Sequence, residues 1–80
     1  MELHIKEQLE ALAERLHLHH GTAHAEARQL SHDVRSALET EDHADIADRL
    51  KRSAVDFEND HPELARAIRK AGDTLSAGGL

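Results

Sequence analysis

Apolar residues return at alternating four- and three-residue steps in four stretches of this 80-residue chain. The first stretch is Ile5, Leu9, Leu12, Leu16, and the second is Ala23, Ala27, Leu30, Val34, Ala37. The third is Ala47, Leu50, Ala54, Phe57, and the fourth is Leu64, Ile68, Ala71, Leu75. Such steps draw one narrow stripe down a helix, the kind of stripe that helices bury against each other. Four amphipathic helices are therefore expected, over about 2–19, 22–39, 42–58 and 62–77, with a frayed tail at 78–80.

Local chemistry sets the breaks. Gly21 follows the last apolar residue of the first stretch and suits a left-handed cap, and Thr22 is placed to cap the second helix. The second break has neither glycine nor proline. There the phase of the stripe decides it: continuing the second stripe forward lands on Glu41, Ala44, Asp48 and Lys51, a polar face. One straight helix would need two different buried sides, so the chain is expected to turn near Thr40–His43, with Thr40 or Asp42 as cap. Asn59-Asp60-His61-Pro62 ends the third helix, because proline disfavours helical geometry in the residue before it yet fits a first helical turn. His61 is placed to cap the fourth helix or to accept a bond at this turn.

These elements form an all-α single domain, two helical hairpins in a coiled-coil-like bundle. The expected seam is Leu9, Leu12, Leu16, Leu30, Val34, Leu50, Phe57, Leu64, Ile68 and Leu75. Phe57 is the one aromatic residue and should anchor the third turn, packing toward Leu64. A core in a chain this short supplies only about 3–5 kcal/mol unless something reinforces it. There is no cysteine for a disulfide or a thiolate zinc site. Because the stripes are narrow and rich in alanine, completion by homodimerisation is expected.

Charge narrows the partners. Asp and Glu number 16 against 10 Lys and Arg, a net −6 with histidine neutral. Phosphate backbones and anionic bilayers select clustered cations, so no nucleic acid and no membrane is expected as partner. Met1-Glu2-Leu3-His4-Ile5-Lys6 has no basic segment followed by an apolar one, so no signal peptide is expected and a cytoplasmic location is the default. Glu2/Lys6, Asp45/Arg49 and Asp48/Arg52 are spaced as acid-first pairs on solvated helix faces.

The carboxy-terminal third carries the most distinctive text: Phe57-Glu58-Asn59-Asp60-His61-Pro62-Glu63-Leu64, then Ile68, Asp73-Thr74-Leu75 and Gly79-Leu80. With the Leu9–Leu16 opening and Asp33-Val34-Arg35, the whole chain resembles a family of small bacterial proteins, domain of unknown function 4404. The resemblance implies an all-helical fold and brings no activity, cofactor or catalytic residue with it.

Eight histidines are the compositional oddity. Neutral imidazole is a good transition-metal ligand, and two histidines four apart on a helix can share an ion. His20 and His24 have that spacing and His17 lies three before His20, but Gly21 and Thr22 fall within the window. These three are the candidate ligands should a metal bind; no cofactor is expected. Free histidine titrates near 6.5, and charging all eight would carry the net charge from −6 to +2, so assembly could follow mild acid.

Ser31-His32-Asp33 is not a triad, because successive helical side chains diverge by about 100°. Glu39-Thr40-Glu41-Asp42 lacks the spacing and glycine of a calcium loop. No glycine-rich phosphate loop precedes a helix. The reading is a non-catalytic interaction or scaffold module that self-associates, not an enzyme. Histidine-based transition-metal binding or metal response is the alternative.

Overall fold

A computed structural model of the protein describes residues 3–40 and 43–78. Its regular elements are α1 (Leu3–His17), α2 (His24–Thr40), α3 (His43–Phe57) and α4 (Pro62–Gly78). All regular structure among the described residues is helical. None of the helices among them is long and apolar enough to cross a membrane.

α1 packs along α2 and α3 along α4, forming two hairpins. Slimmer α1–α4 and α2–α3 contacts join the hairpins, and neither diagonal pair packs together. Each helix therefore runs antiparallel to both of its neighbours, in a bundle measuring 33 × 19 × 18 Å. Both hairpin turns lie at the same end.

The four stripes meet inside. All ten seam residues named above are buried, with Leu16, Leu50, Phe57 and Ile68 fully so. The seam expected to need a second subunit is thus enclosed within one chain. Alanine makes this work: Ala13, Ala27, Ala54, Ala65 and Ala71 sit at the contacts, where small side chains let helix axes come close. Gly72 goes further, because a β-carbon there would lie 3.0 Å from Lys51 Cγ and 3.2 Å from the Ala47 carbonyl oxygen. Ser31 is the buried polar residue of the core, and its hydroxyl donates to the Ala13 carbonyl at 2.8 Å, tying α2 to α1.

The helix ends differ from the sequence reading in detail. α1 stops at His17, and its last turn tightens as His19 N–H bonds the Leu16 carbonyl. Gly21 then takes φ +106°, the left-handed region expected of it. Thr22 does not cap α2. Ala23 is the residue whose carbonyl accepts the first helical bond, from Ala27 N–H at 2.9 Å, and it does so at φ 62°. The Thr22 hydroxyl turns to another partner, described below. Thr40 does not cap α3 either: it closes α2, its hydroxyl donating back to the Ser36 carbonyl at 3.1 Å. Asp42, the other candidate cap, and Glu2 of the first charge pair lie outside the described residues. His61 does stand at the cap position of α4, accepting from Ala65 N–H through its backbone carbonyl at 3.0 Å.

The exposed charges mostly pair between helices. Asp48 and Arg52 meet at 2.9 Å as their spacing suggests. Arg49 instead reaches across to Asp33 on α2 at 3.0 Å, leaving its neighbour Asp45. Arg35 meets Glu14, and Arg69 meets Glu58. Such solvated pairs are each worth about 0–1 kcal/mol.

A substitution at Gly21 isolates the cost of the first turn. An alanine β-carbon would sit at an ordinary 3.7 Å from His61 Cε1, so space is not the obstacle. The backbone is, since a left-handed conformation costs an L-residue roughly 1–2 kcal/mol. Gly21→Ala is expected to lower stability by about that much in a urea melt, and an unchanged midpoint would contradict the turn geometry.

Candidate functional site

Side chains from both hairpin turns converge at the shared end of the bundle. His19, just past α1, lays its ring edge-on against Phe57 of α3, with centroids 6.1 Å apart and an 82° interplanar angle. The same ring meets His61, before α4, at 4.4 Å and 87°. Phe57 is there because its stripe carries it into the core, and His61 because the following proline fixes the turn. His19 and His61 are half-buried.

Hydrogen bonds organise the cluster. His19 Nε2 lies 3.0 Å from the Thr22 carbonyl oxygen. A carbonyl only accepts, so this nitrogen carries the proton. His24 Nδ1 donates in the same way to the His19 carbonyl at 3.1 Å. Thr22 Oγ1 and His61 Nε2 lie 2.9 Å apart, and either can donate. Thr22 thereby links the first turn to the second, 39 residues away.

Beside these rings is an open cavity of about 380 Å³, lined by Arg15, His19, Asp60, His61, Pro62, Glu63 and Leu64. Its mouth carries both signs of charge. The hydroxyl–imidazole pair of Thr22 and His61 has the separation of a nucleophile and its base. Among the described residues no carboxylate bonds His61 Nδ1. The arrangement is that of a latch between turns.

The metal candidates are placed differently. His17 ends α1 and is exposed. His20 and His24 stack nearly parallel, with ring centroids 6.4 Å apart. Among the described residues no group of three or more His, Asp or Glu side chains is arranged to hold a metal ion. Ser31, His32 and Asp33 point apart as their spacing requires: Ser31 inward to α1, His32 to solvent, Asp33 toward Arg49 of α3. The pairing of His19 with His61 had no signature in the sequence, because the two are brought together only by the closing of the hairpins.

A family model matches residues 5–80, which takes in all the described residues but Leu3 and His4. The chain belongs to that family, described as a domain of unknown function (DUF4404). No curated protein and no solved structure matches the chain. In this DUF4404 domain the Phe57–Leu64 stretch, the most distinctive text of the chain, supplies the Phe57 and His61 halves of the cluster.

The latch has a measurable strength. In a double-mutant cycle of Thr22→Val and His61→Ala, a coupling of about 0.5–1 kcal/mol is expected for one solvent-exposed hydrogen bond. Additive losses would show that the two turns are not tied through this bond.

Proposed function

We propose that this domain is a non-catalytic interaction module of the cytoplasm that associates with itself and acts on protein partners through its outer helix faces. On this reading the core is complete within each copy, and helices meet along four-three seams in the manner of coiled coils. Association then serves recognition and is not needed to cover the core. The observation that carries the reading is the exposure of Leu3 and Leu18, at 69% and 59%, at the two ends of one helix whose other leucines are buried. The net charge of −6 turns the reading toward protein surfaces and away from phosphate backbones.

The test is mass against concentration. Sedimentation velocity from micromolar to millimolar protein is expected to show a reversible shift from one chain toward two. A single-chain mass throughout would overturn self-association.

A further inference from the structure

We propose that the outer face formed by α1 and α4 binds a second copy of this chain across a twofold axis, with Ala11 at the centre of the contact. The proposal rests on the self-association reading above and gives it a surface and a register.

Three observations converge on this face. The slim α1–α4 contact leaves a groove of about 180 Å³ with Ala11, Leu12, Ala67 and Ala71 among its lining, where small side chains admit another helix closely. Arg15 and Lys70 also line that groove. Five exposed cations, Arg35, Arg49, Lys51 and Arg52 on α2 and α3 and Arg69 on α4, each meet an acid. Arg15, Arg28, Arg66 and Lys70 make no ion pair among the described residues; Arg28 lies on α2, and the other three belong to α1 or α4. Of the three exposed large apolar side chains described, Leu3 and Leu18 bracket this same α1, and Val55 lies on α3.

Symmetry supplies the register. In a twofold contact, if residue i meets j then j meets i. Two α1 helices crossing antiparallel at Ala11 set the residue four after it against the residue four before it. Arg15 then faces Glu7 of the partner subunit, and the pair is made twice. Leu18 comes within one residue of the partner subunit's Leu3. Lys70 lines the groove together with Ala11, so the same axis crosses α4 between Arg69 and Lys70. That position sets Arg66 against Asp73 of the partner subunit, also twice. Asp73 is available because its pairing with Lys51 is long, at 3.8 Å. The same register sets Arg69 near the partner subunit's Lys70, where Glu58 already neutralises Arg69, and it pairs opposite charges on both α1 and α4. A face of a bundle 33 Å long and 19 Å wide offers on the order of 600 Å² per copy, so about 1,200 Å² in all, the low end of specific interfaces.

The test uses the absence of native cysteine. Ala11→Cys places one thiol on the axis, within the roughly 7 Å Cα separation that a disulfide spans. Under mild oxidation it is expected to give a disulfide-linked dimer much faster than Ala25→Cys, on an exposed position of α2. Arg15→Glu and Glu7→Arg are each expected to weaken association about tenfold or more in sedimentation equilibrium, as two symmetry-related charge pairs are lost. The double variant Arg15→Glu/Glu7→Arg is expected to recover it, with circular dichroism confirming an unchanged fold. A wild type that stays monomeric at millimolar concentration overturns the self-association reading and this surface with it. A wild type that dimerises, while the two cysteine variants crosslink alike and the charge variants associate normally, overturns this surface alone.

Discussion

Phe57→Ala is expected to leave the protein largely unfolded at room temperature. Phe57 is fully buried and is the largest side chain in the core. Removing such a ring costs about 3–5 kcal/mol through lost transfer energy and the cavity left behind. A core in a chain of this size supplies only about 3–5 kcal/mol in total, so the loss is comparable to the whole margin. The effect should spread beyond α3, since the ring also supports His19 and through it the meeting of the two turns. Far-ultraviolet circular dichroism with a urea melt reads the outcome. Phe57→Leu keeps most of the volume and should cost about 1.5 kcal/mol or less, preserving a cooperative transition. An alanine variant that melts with the wild type would show that Phe57 is not the anchor described.

Gly72→Val should be nearly as damaging, for the opposite reason. Here matter is added where α4 already packs tightly on α3. A single β-carbon already approaches Leu50 Cβ at 3.4 Å as well as Lys51 and the backbone of Ala47. The Lys51 side chain can swing away, whereas the Ala47 carbonyl belongs to the α3 backbone and cannot. Two further methyl groups force the helices apart, an overpacking cost of about 1–3 kcal/mol. Gly72→Ala is the informative companion. Alanine gains about 1 kcal/mol of helix propensity over glycine, which offsets the tight contact, so that variant should stay near wild-type stability. Equal stability of the valine and alanine variants would contradict the close α3–α4 approach.

Much of this fold was legible from spacing alone. The stripe residues, Ala23 excepted, are buried, because a helix that repeats apolar residues every three to four positions has one side to hide. Asn59–Pro62 marked the α3–α4 turn through proline's backbone restrictions. The phase argument at residues 40–43 likewise separated α2 from α3 without a glycine or proline to help.

What was missed depends on a second helix. Gly72 drew no notice beside the stripe residues Ala71 and Leu75, yet a glycine inside a helix is costly and generally has a packing reason. Thr22 had the side chain of a cap but spent it on His61, leaving Ala23 to begin α2 at positive φ. Arg49 had Asp45 one turn away and chose Asp33 on α2. The His19–His61 contact joins residues 42 apart in the chain, and no local pattern encodes it. The sequence reading took the abundance of alanine as a reason for a second subunit to complete the core. In the bundle alanine is what allows two hairpins of one chain to close on each other.

That closure is the claim on which the rest stands, and methyl contacts between α1 and α4 test it most directly. Leu12 and Ala71 line the same groove. In protein labelled with ¹³C in only half of its chains, nuclear Overhauser contacts between the Leu12 and Ala71 methyl groups should appear within a chain and persist on dilution to monomer. If they appear only between labelled and unlabelled chains, the hairpins are completed by a partner, and the self-contained bundle is wrong.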